Sequence, residues 1–198
     1  MKFRELVSRS RSIRRFDESV AVGPEVLAEL VELACLVPSA ANRQPLRYLG
    51  VTDAGTASGV FGCLTWAGYL ADWPGPGPGE RPAAYLVMLC RAESATAAAC
   101  DSGIAAQTIL LGAAERGLGG CIVAAVDRAS LASELDIPPE WSVLMVIALG
   151  KPAESVVIDL IDRDGEIRYR RDAYGIHHVP KRKLQDVLVT PEQLRRGS

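Results

Sequence analysis

The order of helix-like and strand-like segments predicts an α+β fold with helices flanking a mixed sheet. Strand-like runs at 46–51, 84–90, 121–126 and 143–149 are separated by helix-like stretches without the regular strand–helix–strand rhythm of a parallel sheet. The runs at 84–90 and 143–149 are continuously apolar, the pattern of strands covered on both faces. A chain of 198 residues, 48% apolar, suits one domain over 1–198; at this size folding buries roughly 70% of the surface that the unfolded chain exposes.

The elements follow in order. Phe3, Leu6 and Val7 recur at helical spacing and predict a short first helix. A second begins at Gly23-Pro24, with proline at the first helical position, and carries Val26, Leu27, Leu30, Val31, Ala34 and Val37 to a stop at Pro38. A helix is expected over 57–69. The alternating Pro and Gly at 74–79 form a surface loop, because proline removes donors and glycine adds backbone entropy. Residues 101–116 make the most apolar helix, with scarcely any polar face, so it belongs in the core or at a subunit interface. Gly117, then Gly119-Gly120, end it. Asp127 caps a short helix carrying Leu131 and Leu135. Asp164-Gly165, between 156–161 and 167–169, signals a hairpin, and a polar tail follows.

Composition removes several function classes. Lys and Arg number 22 against 24 Asp and Glu, a net charge of −2, so no basic field for nucleic acid is present. No apolar run approaches the ~20 residues of a spanning helix, and the basic start lacks the apolar core of a secretory signal, so a cytoplasmic protein is expected. The five cysteines are widely spaced, with no CxxC pair or Cys/His cluster; reduced thiols are expected, and no metal site. Two adjacent histidines, His177 and His178, do not supply a Ser-His-Asp device, so a cofactor is expected to carry any chemistry.

Positive charge gathers near both ends: Arg9, Arg11, Arg14 and Arg15 interleaved with Ser10 and Ser12, and Lys181-Arg182-Lys183. Arginine forks with short hydroxyl donors suit a phosphate; a solvated surface face suits each run as well. The segment Pro38-Ser39-Ala40-Ala41-Asn42-Arg43-Gln44-Pro45 offers small residues and amides that can meet the polar edge of a heteroaromatic ring, or simply satisfy a turn. Gly117-Leu118-Gly119-Gly120 follows a helix and is no GxGxxG, so a dinucleotide fingerprint is not supported. Trp66, Tyr69 and Trp73 beside the Pro/Gly loop suit an aromatic lid or ordinary surface packing.

Taken in order, Arg11-Ser12-Ile13-Arg14-Arg15-Phe16, the 38–45 segment, Gly117-Leu118-Gly119-Gly120-Cys121 and Pro180-Lys181-Arg182-Lys183 resemble the nitroreductase family over essentially the whole chain. Trp66-Ala67-Gly68-Tyr69 and Arg81-Pro82-Ala83-Ala84-Tyr85 resemble a short subgroup of it. The resemblance implies a mainly antiparallel sheet and a homodimer with tightly bound FMN at two interface sites. It also implies hydride transfer from NAD(P)H through flavin N5 to a small organic acceptor, nitroaromatic or quinone-like, by a ping-pong sequence. By motif, Arg11, Ser12 and Arg14 hold the phosphate and the pyrimidine edge, and Lys181 and Lys183 complete the phosphate clamp. Arg14 lends positive charge where the reduced ring gathers negative charge. Pro38, Ser39, Asn42 and Gln44 come from the other subunit, and backbone at Gly120, Ile122 and Val123 approaches the ring near N5. Trp66 and Tyr69 are the candidate substrate lid.

Two departures matter. Ser10 stands where many members carry a second arginine, which shifts phosphate binding towards Arg11 and Lys183; Ile122-Val123-Ala124-Ala125 lacks the Pro and Glu of the enteric members. The same scaffold hosts flavin-destroying and reductively dehalogenating enzymes, and a non-catalytic FMN-binding protein is a further alternative.

Overall fold

A computed structural model describes residues 2–195, whose contacts divide them into two units, one running to 67 with 73–153 and one of 68–72 with the stretch from 154 on. The first unit runs α1 (Phe3–Arg9), β1 (Phe16–Asp17), α2 (Pro24–Cys35), β2 (Arg47–Val51), α3 (Ala54–Gly62), β3 (Ala84–Arg91), α4 (Ala99–Glu115), β4 (Gly119–Val123), α5 (Arg128–Glu134) and β5 (Trp141–Pro152). Pro24 opens α2. Asp53 caps α3 by accepting the Thr56 N–H at 2.9 Å, and Asp127 caps α5 through the Ser130 N–H at 3.1 Å.

The long strand β5 organises the sheet. It pairs with β3 from Ala84↔Leu149 to Arg91↔Trp141, with β4 from Gly119↔Gly150 to Val123↔Val146, and with β1 at Phe16↔Pro152; β2 adds to β3. All four ladders are antiparallel. Leu86 and Met88 of β3 and Ile147 and Leu149 of β5 face a core shared with Leu27 and Leu30 of α2 and Ala106, Ile109 and Ala113 of α4. Tyr85 and Val87, alternate residues on β3, are buried as well, which is why the strand reads as an unbroken apolar run. Small residues on α4 let α2 come close: a Cβ at Gly112 would lie 2.6 Å from Leu33. Thus the most apolar helix is a core helix, and its one acidic side chain near the start, Asp101, is buried.

The second unit holds a three-stranded sheet of β6 (Val156–Ile161), β7 (Arg170–Arg171) and β8 (His177–Arg182), followed by α6 (Leu184–Val187) and α7 (Pro191–Arg195). Its interior is polar and aromatic. Arg171 reaches Glu154 at 2.9 Å, and the Tyr169 ring lies 5.3 Å from His177 and 5.0 Å from Tyr69.

Three expectations are corrected. The helix expected over 57–69 starts earlier, at the Asp53 cap, and ends at Gly62; beyond it Leu64 bridges Val126 and the Thr65 N–H donates to Ala125 O at 2.9 Å, pairing that needs extended backbone. Gly117, with φ +73°, alone turns the chain out of α4, whereas Gly119-Gly120 begin β4, which therefore covers 119–123 and not 121–126. The hairpin at Asp164-Gly165 does not pair 156–161 with 167–169. β6 instead lies parallel to β8, in register from Val156↔His177 to Ile161↔Arg182, because β8 offers six consecutive partners. Among the described residues no helix is long and apolar enough to cross a membrane.

Candidate functional site

The first and third sequence motifs meet in one place. Ser12 forms a parallel bridge with Gly120, and the Ile13 N–H donates to Gly120 O at 2.9 Å. The approach depends on the absence of side chains. A Cβ at Gly119 would lie 2.8 Å from Ile13, and one at Gly120 only 2.5 Å from the Ala148 carbonyl oxygen. The run 11–14 is thereby held along the end of β4, with Ser12 exposed and Arg11 and Arg14 half-buried.

Arg11 donates from Nη2 to Val7 O at 2.8 Å, while its Nε is a buried donor without an acceptor among the described residues. Burial pulls its pKa down from the ordinary arginine value, the direction set by a cation short of solvent. Arg14 points Nη1 at Ser12 O, 3.4 Å away. Arg15 turns elsewhere, to Glu80 at 3.3 Å and to the Trp73 ring. Ser10 is buried.

The 38–45 segment is a strained loop clamped by a residue that the sequence reading missed. Ser39 Oγ donates to Asp101 Oδ2 at 2.6 Å, the Ala40 N–H donates to Asp101 Oδ1 at 3.1 Å, and Ser39 Oγ accepts the Gln44 N–H at 2.9 Å. Ala41, Asn42 and Gln44 have φ of 50°, 52° and 49°, left-handed geometry that side chains larger than glycine rarely adopt. Gln44 Nε2 donates to Asn42 Oδ1 at 3.1 Å, so both amides are oriented, and both residues are exposed. The only sequence signal for the clamp is an aspartate two residues into an otherwise apolar helix.

The Ser39 hydroxyl bond, then the Ala40 amide, holds the Asp101 carboxyl below the usual aspartate range. A depressed folded pKa means that this stabilisation is complete above the ordinary carboxylate pKa and is lost as pH falls through the lower folded value. Asp101→Leu should remove the acceptor of both donors, lower the melting temperature by about 5 °C and speed amide exchange at 39–44. Unchanged exchange protection there would show that the clamp does not hold the loop.

Along α4 the two clusters are distinct. Asp101 lies in the first turn, whereas a Cβ at Gly120 would touch Leu110, two and a half turns on, or about 13 Å at 1.5 Å per residue. Ile122 is partly exposed beside buried Val123. The backbone just beyond is engaged: Arg128 donates to Ala124 O at 3.3 Å. Trp66 is buried in the first unit, its ring 5.8 Å from Phe61, while Tyr69 is exposed in the second. In that second unit Lys181 is exposed on β8 and Lys183 donates to Asp162 at 2.7 Å, which raises its pKa. His177 is buried, and His178 sits between Asp159 at 3.0 Å and Asp172 at 3.3 Å.

The nitroreductase family model matches residues 7–58 and 80–151, and the chain belongs to that family. A relative from Rhodospirillum rubrum, 5,6-dimethylbenzimidazole synthase, is 28% identical over 180 residues, covering 78% of this chain and 84% of that one. A nitroreductase family protein from Clostridium novyi NT superposes with a TM-score of 0.65 at 23% identity, covering 77% of this chain and 86% of that one. An FMN-dependent nitroreductase from Clostridium difficile R20291 gives 0.60 at 24% identity, covering 76% and 87%. The family makes the protein an oxidoreductase, and these two structures share its fold.

Proposed function

We propose that the protein is an FMN-dependent oxidoreductase that draws on NAD(P)H and reduces a small organic acceptor, nitroaromatic or quinone-like. The observation that carries this reading is the Arg11–Ser12 run braced on Gly120, with a buried Arg11 Nε–H that has no acceptor among the described residues. A phosphate oxygen supplies the missing acceptor, and a charged pair of this kind is among the stronger hydrogen bonds. FMN is the group that fits.

When bound, FMN supplies hydride acceptance at N5 and its passage to a second substrate taking the nicotinamide's place. In this reading Arg11 and Ser12 hold the phosphate and the pyrimidine edge. Arg14 places positive charge beside that edge, where fixed charge is most effective. Lys181 and Lys183, both in the second unit, are the further candidate phosphate contacts that the family resemblance implies. Gly120, Ile122 and Val123 present backbone to the ring. Pro38, Ser39, Asn42 and Gln44 serve from a second copy in a homodimer, as the family resemblance implies. Of the two candidate lid residues only Tyr69, exposed in the second unit, remains the proposed cover for substrate, since Trp66 is buried.

The FMN-loaded protein, mixed anaerobically with NADH or NADPH, should lose its yellow colour with at least one of them and regain it on adding a nitroaromatic or a quinone. Retained colour with both nicotinamides would support a non-catalytic FMN-binding protein instead. The Rhodospirillum relative favours a second reading, since the dimethylbenzene ring of 5,6-dimethylbenzimidazole is also the outer ring of a flavin. If the flavin is itself the substrate, air admitted to the reduced protein will destroy the colour permanently and release that product.

A further inference from the structure

We propose that the first unit carries a second small-molecule site, a cleft between α3 and the start of β3 that takes a small organic monocarboxylate with an apolar body. The cleft measures about 360 Å³, within the range of small-ligand sites. Its residues belong to the sequence segments that the flavin reading leaves unused, and none is in the set assigned to FMN.

Arg81 is the centre of it. Its guanidinium lies over the Phe61 ring at 4.4 Å, and Phe61 is backed by buried Trp66 at 5.8 Å. Trp66 is in turn covered by the Pro/Gly loop, where a Cβ on Gly75 would lie 2.7 Å from the indole. Stacking fixes the plane of the guanidinium. Yet this half-buried cation has no hydrogen-bond acceptor for its side chain among the described residues, and its Nε is buried without one. The neighbouring Glu18 does not pair with it. That carboxylate instead accepts the Gly79 N–H at 2.5 Å and the Arg81 backbone N–H at 3.4 Å.

A buried donor without an acceptor calls for an external one. Tyr85, buried on β3, lines the same cleft, and burial pushes its hydroxyl pKa well up, so it stays a neutral donor. One cation and one neutral donor match the two oxygens of a carboxylate. A dianion is disfavoured, because Glu18 lines the same wall and only one arginine faces it. Ala54, Ala57 and Pro82 make the rest of the lining chiefly apolar, which suits a hydrocarbon body.

Benzoate is the probe. With the purified protein labelled with nitrogen-15, benzoate should shift the Arg81 Nε–H resonance saturably and leave the spectrum of bound flavin unchanged. Arg81→Gln should weaken binding at least tenfold. Ala57→Leu, which fills the cleft and keeps Arg81 itself, should do the same and serves if the first variant folds poorly. A shift that never saturates, binding that survives both substitutions, or a benzoate response confined to the flavin bands would each overturn the proposal. Because the readout is at Arg81, it fails or succeeds independently of whether FMN is the cofactor.

Discussion

Arg11→Ala is expected to weaken FMN retention by about 10- to 100-fold, the scale of one charge-assisted hydrogen bond worth ~1.5–3 kcal/mol. The melting temperature of the flavin-free protein should hardly move. The side chain's one hydrogen bond among the described residues is to Val7 O, at the exposed last turn of α1, and exposed interactions of this kind contribute little. Arg11→Lys should fall between, keeping the charge but losing the fork. FMN titrations of the three proteins, read by flavin fluorescence quenching, check the order. Equal affinities would remove Arg11 from the site.

Gly120→Val should have the largest effect on the fold. The added Cβ would lie 2.5 Å from the Ala148 carbonyl and 2.7 Å from Leu110. The first contact is backbone in the central strand, so neither a rotamer change nor a small shift relieves it. Overpacking of this kind costs about 1–3 kcal/mol, or roughly 2–12 °C in melting temperature for a domain of this size. It should also displace Ser12 and so lower FMN retention. Gly62→Ala, with nothing within 4 Å of its Cβ, is the matched control and should be neutral. Equal melting temperatures for Gly120→Val and wild type would mean that β4 does not approach β5 as described.

What the sequence revealed and what it hid divide along physical lines. Helix α2 was legible because its apolar stripe and Pro24 are local, and β3 and β5 because burial on both faces forces continuous apolar runs. The end of α3 was not, since Thr65 finds its acceptor on Ala125, sixty residues away. The partner of β6 was hidden for the same reason. Asp164-Gly165 does make a turn, with the Gly165 N–H on Asp162 O at 3.0 Å, but turn chemistry does not choose which strand lies alongside. In the site, the motifs singled out Ser12 and Gly120 separately, and the fold bridges the two. Asp101 was missed because its role exists only once Ser39, far off in sequence, is folded onto it. The Arg81 cleft was equally invisible, being assembled from the Glu18 region, α3 and the segment leading into β3.

The central claim is that this scaffold holds FMN through the Arg11–Gly120 cluster. Its most direct test is the visible absorption spectrum of the purified protein after incubation with FMN and desalting. Oxidised-flavin bands retained at about one FMN per chain, and lost in Arg11→Ala, are the predicted result. A colourless protein, or one whose bands survive that substitution undiminished, would contradict it.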